Sequence, residues 1–187
     1  MFYDKMEQLA EKWHRGQIRK ARPGETAPPY IVHPRAVVKT LLDWGEPENS
    51  SAVGIAWGHD LLEDTEVPFE DILAASDGTV ASGIRLLTDT EADKSVYLDR
   101  VSRSGRRDVL LVKIADRIRN SYDRIELEDH AAAYEYLHEA DCIFEAVGRL
   151  PSDPVLDRAL SDWRELDELL RANLPPETDS ADSADRT

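Results

Sequence analysis

His59 and Asp60 stand side by side in a segment whose neighbours Val53, Ile55, Ala56, Trp57, Leu61 and Leu62 are almost all apolar. An ionised carboxylate buried there without a partner is costly, and holding a cation is one of the few ways to keep it charged. Glu63 and Asp64 follow four residues on, which on a continuous helix stacks 59 over 63 and 60 over 64 on one side. Taken alone, such a dipeptide is more often a helix end with solvated acids and one satisfied histidine, because short motifs recur by chance. Asp116 repeats the anomaly inside the apolar run LLVKIADRI, with Asn120 one turn further along the same face. Pairing of Asp116 with Lys113 or Arg119 accounts for it equally well. His33, immediately before Pro34, opens a further helix and can project from its mouth into a cleft; a capping or core role is the alternative. Together His33, His59, Asp60 and Asp116 make a ligand set suited to a divalent transition metal, although spacing alone does not say that they meet. His130 and His138 lie without such an acidic constellation and read as structural or surface residues.

The elements that must position these side chains are helices. Apolar residues recur at helical spacing nearly throughout, and no alternating segment argues for a buried strand. The clearest helix covers 107–126, with Leu111, Ala115, Ile118, Tyr122 and Ile125 on one stripe. A second covers 130–148, with Ala133, Leu137, Ala140, Phe144 and Val147. A third is capped by Asp153, starts at Pro154, buries Leu156, Leu160, Trp163 and Leu170, and is ended by Pro175 and Pro176. Earlier helices are predicted at about 3–15, 34–44, 49–62, 68–75, 77–88 and 93–104. Residues 16–32 hold Gly16, Gly24 and three prolines and read as a long loop, a kind that is usually either functional or disordered. From these patterns we expect one all-α domain over residues 1–173. The polar, acidic tail 174–187 is expected to be disordered.

The chain has 187 residues and a formal net charge of −15, from 38 acidic against 23 basic residues. That field disfavours a nucleic acid polymer but leaves room for a free nucleotide, whose local field is set by an ion and a few placed Arg or Lys side chains. The single cysteine, Cys142, cannot form an intramolecular disulfide and is expected to be a small buried side chain. The charged N-terminus has no apolar signal-peptide core, and there is no run of about 18 apolar residues. We therefore expect a cytoplasmic protein that does not span a membrane. An oligomer is compatible with the sequence, which does not specify its order.

Three ordered strings carry a family resemblance. HRGQIRKARPGETAPPYIVHP resembles the opening motif of the RelA/SpoT hydrolase domain and the small alarmone hydrolases, GHDLLEDTEV their His-Asp-x-x-Glu-Asp-Thr motif, and VKIADRIRN their Val-Lys-x-Ala-Asp-Arg-x-x-Asn motif. Three motifs in order are far more specific than any dipeptide. The resemblance implies an HD-type helical bundle and hydrolysis of the 3′-pyrophosphate of guanosine tetra- or pentaphosphate to GDP or GTP and pyrophosphate. It makes His33, His59, Asp60 and Asp116 ligands of one divalent ion, with manganese expected, and Glu63 and Asp64 the acids that activate or orient the attacking water. It places Arg19 against the guanine, Lys20 beside the nucleotide and Asn120 in contact with it. His14, Gly16, Gln17 and Tyr30 are expected to shape the loop.

Two departures stand out. Arg119 occupies a position where the family commonly has His, and the link between Lys20 and Pro29 is longer than expected. Because the chain ends before the synthetase and regulatory domains of the bifunctional relatives, a stand-alone hydrolase is expected. The competing readings are an HD phosphohydrolase for another phosphorylated nucleotide or dinucleotide, and a non-catalytic nucleotide-binding regulator.

Overall fold

The 107–126 segment forms the longest helix, and most of the fold is built on it. A computed structural model describes residues 3–174, in which eleven helices follow one another: α1 Asp4–Trp13, α2 Val32–Asp43, α3 Ser51–Gly58, α4 Leu61–Asp64, α5 Phe69–Ala75, α6 Gly78–Leu87, α7 Lys94–Ser102, α8 Arg107–Glu126, α9 His130–His138, α10 Asp141–Gly148 and α11 Pro154–Ala172. Among the described residues there is no strand, only one isolated antiparallel bridge between Ile18 and Pro29. The all-α expectation therefore holds. The expected acidic tail, apart from Leu174, lies outside the described residues.

α8 is buried along most of its length, from Val109 to Ile118, because it packs against α2 and α3 on one side and α9, α10 and α11 on the other. Local chemistry sets many of the helix starts. Asp77, Asp93, Asp129 and Asp153 each accept a hydrogen bond from an amide in the first turn of the helix that follows, and Pro154 stands at the start of α11 as its sequence predicted. Pro34 is accommodated in the first turn of α2, where its missing N–H breaks no helical bond.

Two expected helices are each divided. The 49–62 segment breaks at His59 and Asp60 into α3 and α4, and the 130–148 segment breaks at Glu139 and Ala140 into α9 and α10. The first break has a local cause: His59 Nδ1 donates to the Ala56 carbonyl at 2.7 Å, while the Asp60 carbonyl accepts from the Glu63 and Asp64 amides and starts a new turn. The second lets α9 pack on α8 and α11 while α10 reaches α7 as well. The expected stripes hold at Leu111, Ala115, Ala133, Leu137, Leu156 and Trp163, but Tyr122 is exposed and Phe144, Leu160 and Cys142 are only partly buried.

The long loop after α1 is organised. Gly16 and Gly24 take positive φ values of 86° and 88°, which permit its two sharp turns. Between them the Arg19 amide donates to the Pro28 carbonyl, and the Tyr30 amide to the Gln17 carbonyl, both at 2.9 Å. Arg22 Nε donates to the Glu126 carbonyl at the end of α8, anchoring the tip of the loop to that helix.

The apolar α3 is inserted between α1, α2, α6 and α8. Gly54 and Gly58, one turn apart, allow the close approach: a Cβ on Gly54 would collide with the Tyr3 ring and stand 2.9 Å from Val80 Cγ2, and one on Gly58 would stand 2.7 Å from Met6 Cε. Gly54→Ala is expected to destabilise the protein by about 1–3 kcal/mol through overpacking, read as a lower urea midpoint with an unchanged slope. A midpoint equal to that of the wild type would mean that α1 and α6 can move aside at no cost.

Candidate metal and nucleotide site

Three helices deliver the four candidate ligands to one place. His33 comes from the first turn of α2, His59 and Asp60 from the break after α3, and Asp116 from the middle of α8. His33 Nε2 lies 3.2 Å from His59 Nε2 and 3.1 Å from Asp116 Oδ1, while Asp60 Oδ2 lies 3.2 Å from His59 Nε2 and 3.7 Å from His33 Nε2. His33, His59 and Asp60 form a compact group of donor atoms able to hold a metal ion. Asp116 Oδ1 joins it through both histidines, at 3.1 Å from His33 and 3.6 Å from His59. The two histidines and Asp116 are buried.

The donor chemistry fits a divalent ion. His59 spends its Nδ1 hydrogen on the Ala56 carbonyl, so Nε2 is the nitrogen turned to the cluster, a backbone anchor typical of ligating histidines. Without an ion, the cluster balances its own charge. Burial alone would depress the His59 pKa, but the Asp60 charge and hydrogen bonds to Asp116 and Asp60 push it well above its ordinary value. Burial alone would raise Asp60 and Asp116. The His59 charge instead holds Asp60 well below the usual carboxylate range, and the Lys113 charge with the two histidines does the same for Asp116.

Asp60 and Asp116 open onto a cavity of about 180 Å³ whose walls also include Glu63, Asp64, Arg19 and Asn120. Glu63 Oε2 accepts from the Asp89 amide at 3.1 Å. Partial burial and the nearby Asp60 raise its pKa against that hydrogen bond, which keeps a carboxylate available as a proton acceptor of more than ordinary basicity. Asn120 Nδ2 donates to Asp116 Oδ1 at 2.5 Å, and Asn120 Oδ1 accepts from Arg19 Nη2 at 2.7 Å. Arg19 is also ion-paired with Asp123, and its guanidinium carbon lies 5.4 Å from the Tyr30 ring centroid. One ladder along α8, Asp116, Asn120 and Asp123, thus links the ligand cluster to the Arg19 side chain.

The structure brings eight of the nine sequence-predicted residues together at the cluster or its cavity. The ninth, Lys20, is exposed and lines the two larger cavities that flank Arg19, of about 540 and 590 Å³. Arg119, the residue at the departing position, lines the first of these and not the metal cavity. His138 is a surface ion-pair residue between Asp141 and Asp167, as expected of a structural role.

Sequence reasoning missed part of the wall. Lys113 was foreseen only as a partner of Asp116, which it is at 3.0 Å, but it also lines the cavity with Tyr97, Lys94 and Tyr136. Its spacing of three residues from Asp116 was the available signal. Nothing in the local sequence singled out Asp89, whose amide holds Glu63. Tyr30, assigned only to loop shape, places its hydroxyl 2.6 Å from Asp60 Oδ2 and 2.7 Å from Asp64 Oδ2.

Known proteins share both sequence and fold with this chain. It is 36% identical over 125 residues to a GTP pyrophosphokinase of Streptomyces coelicolor, covering 60% of this chain and 14% of that protein. It is 34% identical over 123 residues to the guanosine-3′,5′-bis(diphosphate) 3′-pyrophosphohydrolase MESH1 of Danio rerio, covering 61% of this chain and 63% of that one. A solved structure described as a metazoan ortholog of SpoT that hydrolyzes ppGpp superimposes with a TM-score of 0.69 at 22% identity, over 88% of this chain and 94% of the other. The chain is thus similar in sequence to one portion of RelA/SpoT-type proteins and shares the helical fold of that solved structure. No family model matches it. It spans about one seventh of the Streptomyces relatives, so this is likeness to one portion of those longer family members. No helix of the described residues is long and apolar enough to cross a membrane.

A ligand bound only by the folded state stabilises it by about 2.7 kcal/mol at a hundred times its dissociation constant. Chelator-stripped protein is therefore expected to melt several degrees higher when a divalent ion is restored. His59→Ala should abolish the increment, and an equal increment in that variant would show the ion binding elsewhere.

Proposed function

We propose that the chain is a metal-dependent phosphohydrolase that removes pyrophosphate from the 3′ position of guanosine tetra- or pentaphosphate, leaving GDP or GTP. The observation that carries this reading is the meeting, around one cavity, of a candidate ion cluster, a pair of acids and an Arg19–Asn120 pair linked to the cluster. The guanosine-3′,5′-bis(diphosphate) specificity in the names of several relatives supports the choice of substrate.

His33, His59, Asp60 and Asp116 would hold one divalent ion. That ion would supply Lewis acidity and neutralise phosphate charge. Four protein ligands fill a tetrahedral site but leave two positions free on an octahedral ion, which favours manganese over zinc. Glu63 and Asp64 take the proton of the attacking water or fix its orientation. The water oxygen bonds to the phosphorus joined to the 3′ oxygen, that P–O bond breaks on the nucleoside side, and the 3′ oxygen leaves as a hydroxyl after gaining a proton. Arg19 offers a flat cation for the guanine, Asn120 contacts the nucleoside, and Lys20, in the flanking cavities, meets phosphate approaching the site. The substrate is a small cytoplasmic nucleotide and not a polymer.

The direct test incubates chelator-stripped protein with manganese and guanosine tetraphosphate and identifies both products. Pyrophosphate with GDP is expected; orthophosphate, or turnover of a different nucleotide in a panel, points to another HD phosphohydrolase, and no turnover of any points to a binding protein. Glu63→Gln and Asp64→Asn should each keep manganese and lose about a hundredfold or more in kcat. Loss of the ion with an unchanged intrinsic rate would instead make them ligand supports.

Arg19→Ala should mainly raise KM, by about tenfold or more, as the loss of a base-stacking contact of roughly 1–3 kcal/mol implies. A KM equal to that of the wild type would remove Arg19 from the nucleoside contact.

A further inference from the structure

Tyr30 has more to do than shape a loop. Its hydroxyl bridges the two halves of the site, 2.6 Å from Asp60 Oδ2 and 2.7 Å from Asp64 Oδ2. The Asp60 oxygen it touches is the one that lies 3.2 Å from His59 Nε2 and 3.7 Å from His33 Nε2, inside the candidate ion cluster. A phenol carries one hydrogen and can donate to only one carboxylate at a time.

The position of that hydroxyl is set by groups other than the two acids. The Tyr30 ring stacks on the buried His14 ring, with centroids 4.7 Å apart and planes 24° apart. Gln17 bonds to His14 Nδ1 and, through Nε2, to the Asp64 carbonyl, both at 2.7 Å. The Tyr30 amide closes the frame on the Gln17 carbonyl at 2.9 Å. The loop residues His14, Gln17 and Tyr30 therefore hold the hydroxyl and the Asp64 backbone in one register.

We propose that Tyr30 is a positioning residue that reports the filling of the ion site to Asp64: it donates to Asp60 when the site is empty, and turns its hydrogen to Asp64 when an ion claims that Asp60 oxygen. Asp64, an exposed carboxylate, is then fixed in the place its role toward the water requires. This rests on the ligand set and acid roles proposed above. It adds a consequence that those roles do not contain: the Tyr30 hydroxyl competes with the ion for Asp60 and acts on the rate only through Asp64.

The test is Tyr30→Phe, which keeps the ring on His14 and removes the donor. Manganese affinity of the chelator-stripped variant, read from the free-ion resonance signal, is expected to equal or exceed that of the wild type; a weakening of more than about twofold overturns the proposal, because Tyr30 then supports the ligand and does not compete with the ion. In pyrophosphate release, kcat is expected to fall by about fivefold or more with KM within about twofold, and a smaller fall or a larger KM change overturns it. In an Asp64→Asn background the same substitution should cost no further rate, whereas an independent loss would show that Tyr30 does not act through Asp64. If wild-type protein releases no pyrophosphate, the hydrolase reading fails, while the manganese titration still decides the competition at Asp60.

Discussion

Four ionisable side chains brought together inside apolar helices are the constraint on which the rest of the structure depends. Two imidazoles and two carboxylates, three of the four residues buried, would be strongly destabilising if left as isolated charges. The fold meets this by making them one another's partners and by adding Lys113 and Asn120 on Asp116 and Tyr30 on Asp60. The ligands come from α2, the α3–α4 break and α8, and Tyr30 from the long loop, so the cluster also ties these four pieces of chain to a common point. A helix apolar on every side, α3, is needed to carry His59 that deep, and its two glycines let the neighbours close around it.

A strongly acidic chain nevertheless gathers cationic side chains at this cluster. The net charge of −15 is a sum over the whole sequence, whereas the cavity gathers Arg19, Lys94 and Lys113 around carboxylates that a divalent ion would neutralise. Arg19 is held in place by Asn120 and Asp123, so little side-chain freedom remains for a ligand to remove.

The long loop shows how a supporting segment comes to line the candidate site. Its glycines permit the turns, its backbone pairs 17 with 30 and 19 with 28, and Arg22 fastens its tip to the end of α8. The length that departs from the family pattern lies in the tip, next to Lys20 and the flanking cavities, and leaves Arg19 and Tyr30 at the closed base. Variation in such a loop changes the flanking cavities before it changes the candidate ion cluster.

By itself the sequence determined the helical class, most helix positions and the cap at Asp153, and it marked His33, His59, Asp60 and Asp116 as candidates for an ion, because apolar periodicity and charge within apolar segments are local signals. Three ordered motifs added the family resemblance, since their joint occurrence is improbable by chance. Tertiary structure alone decided that His33, 26 positions before His59, meets it at 3.2 Å, and that Asp116 closes the group. It also divided the 49–62 helix at His59, where a side chain captures a carbonyl that periodicity assigns to a continuous helix. Tyr30, Lys113 and Asp89 entered the site for the same reason: their roles are fixed by which atoms lie within hydrogen-bond reach across the fold, and distances between segments far apart in the chain are not written in the pattern of any one of them.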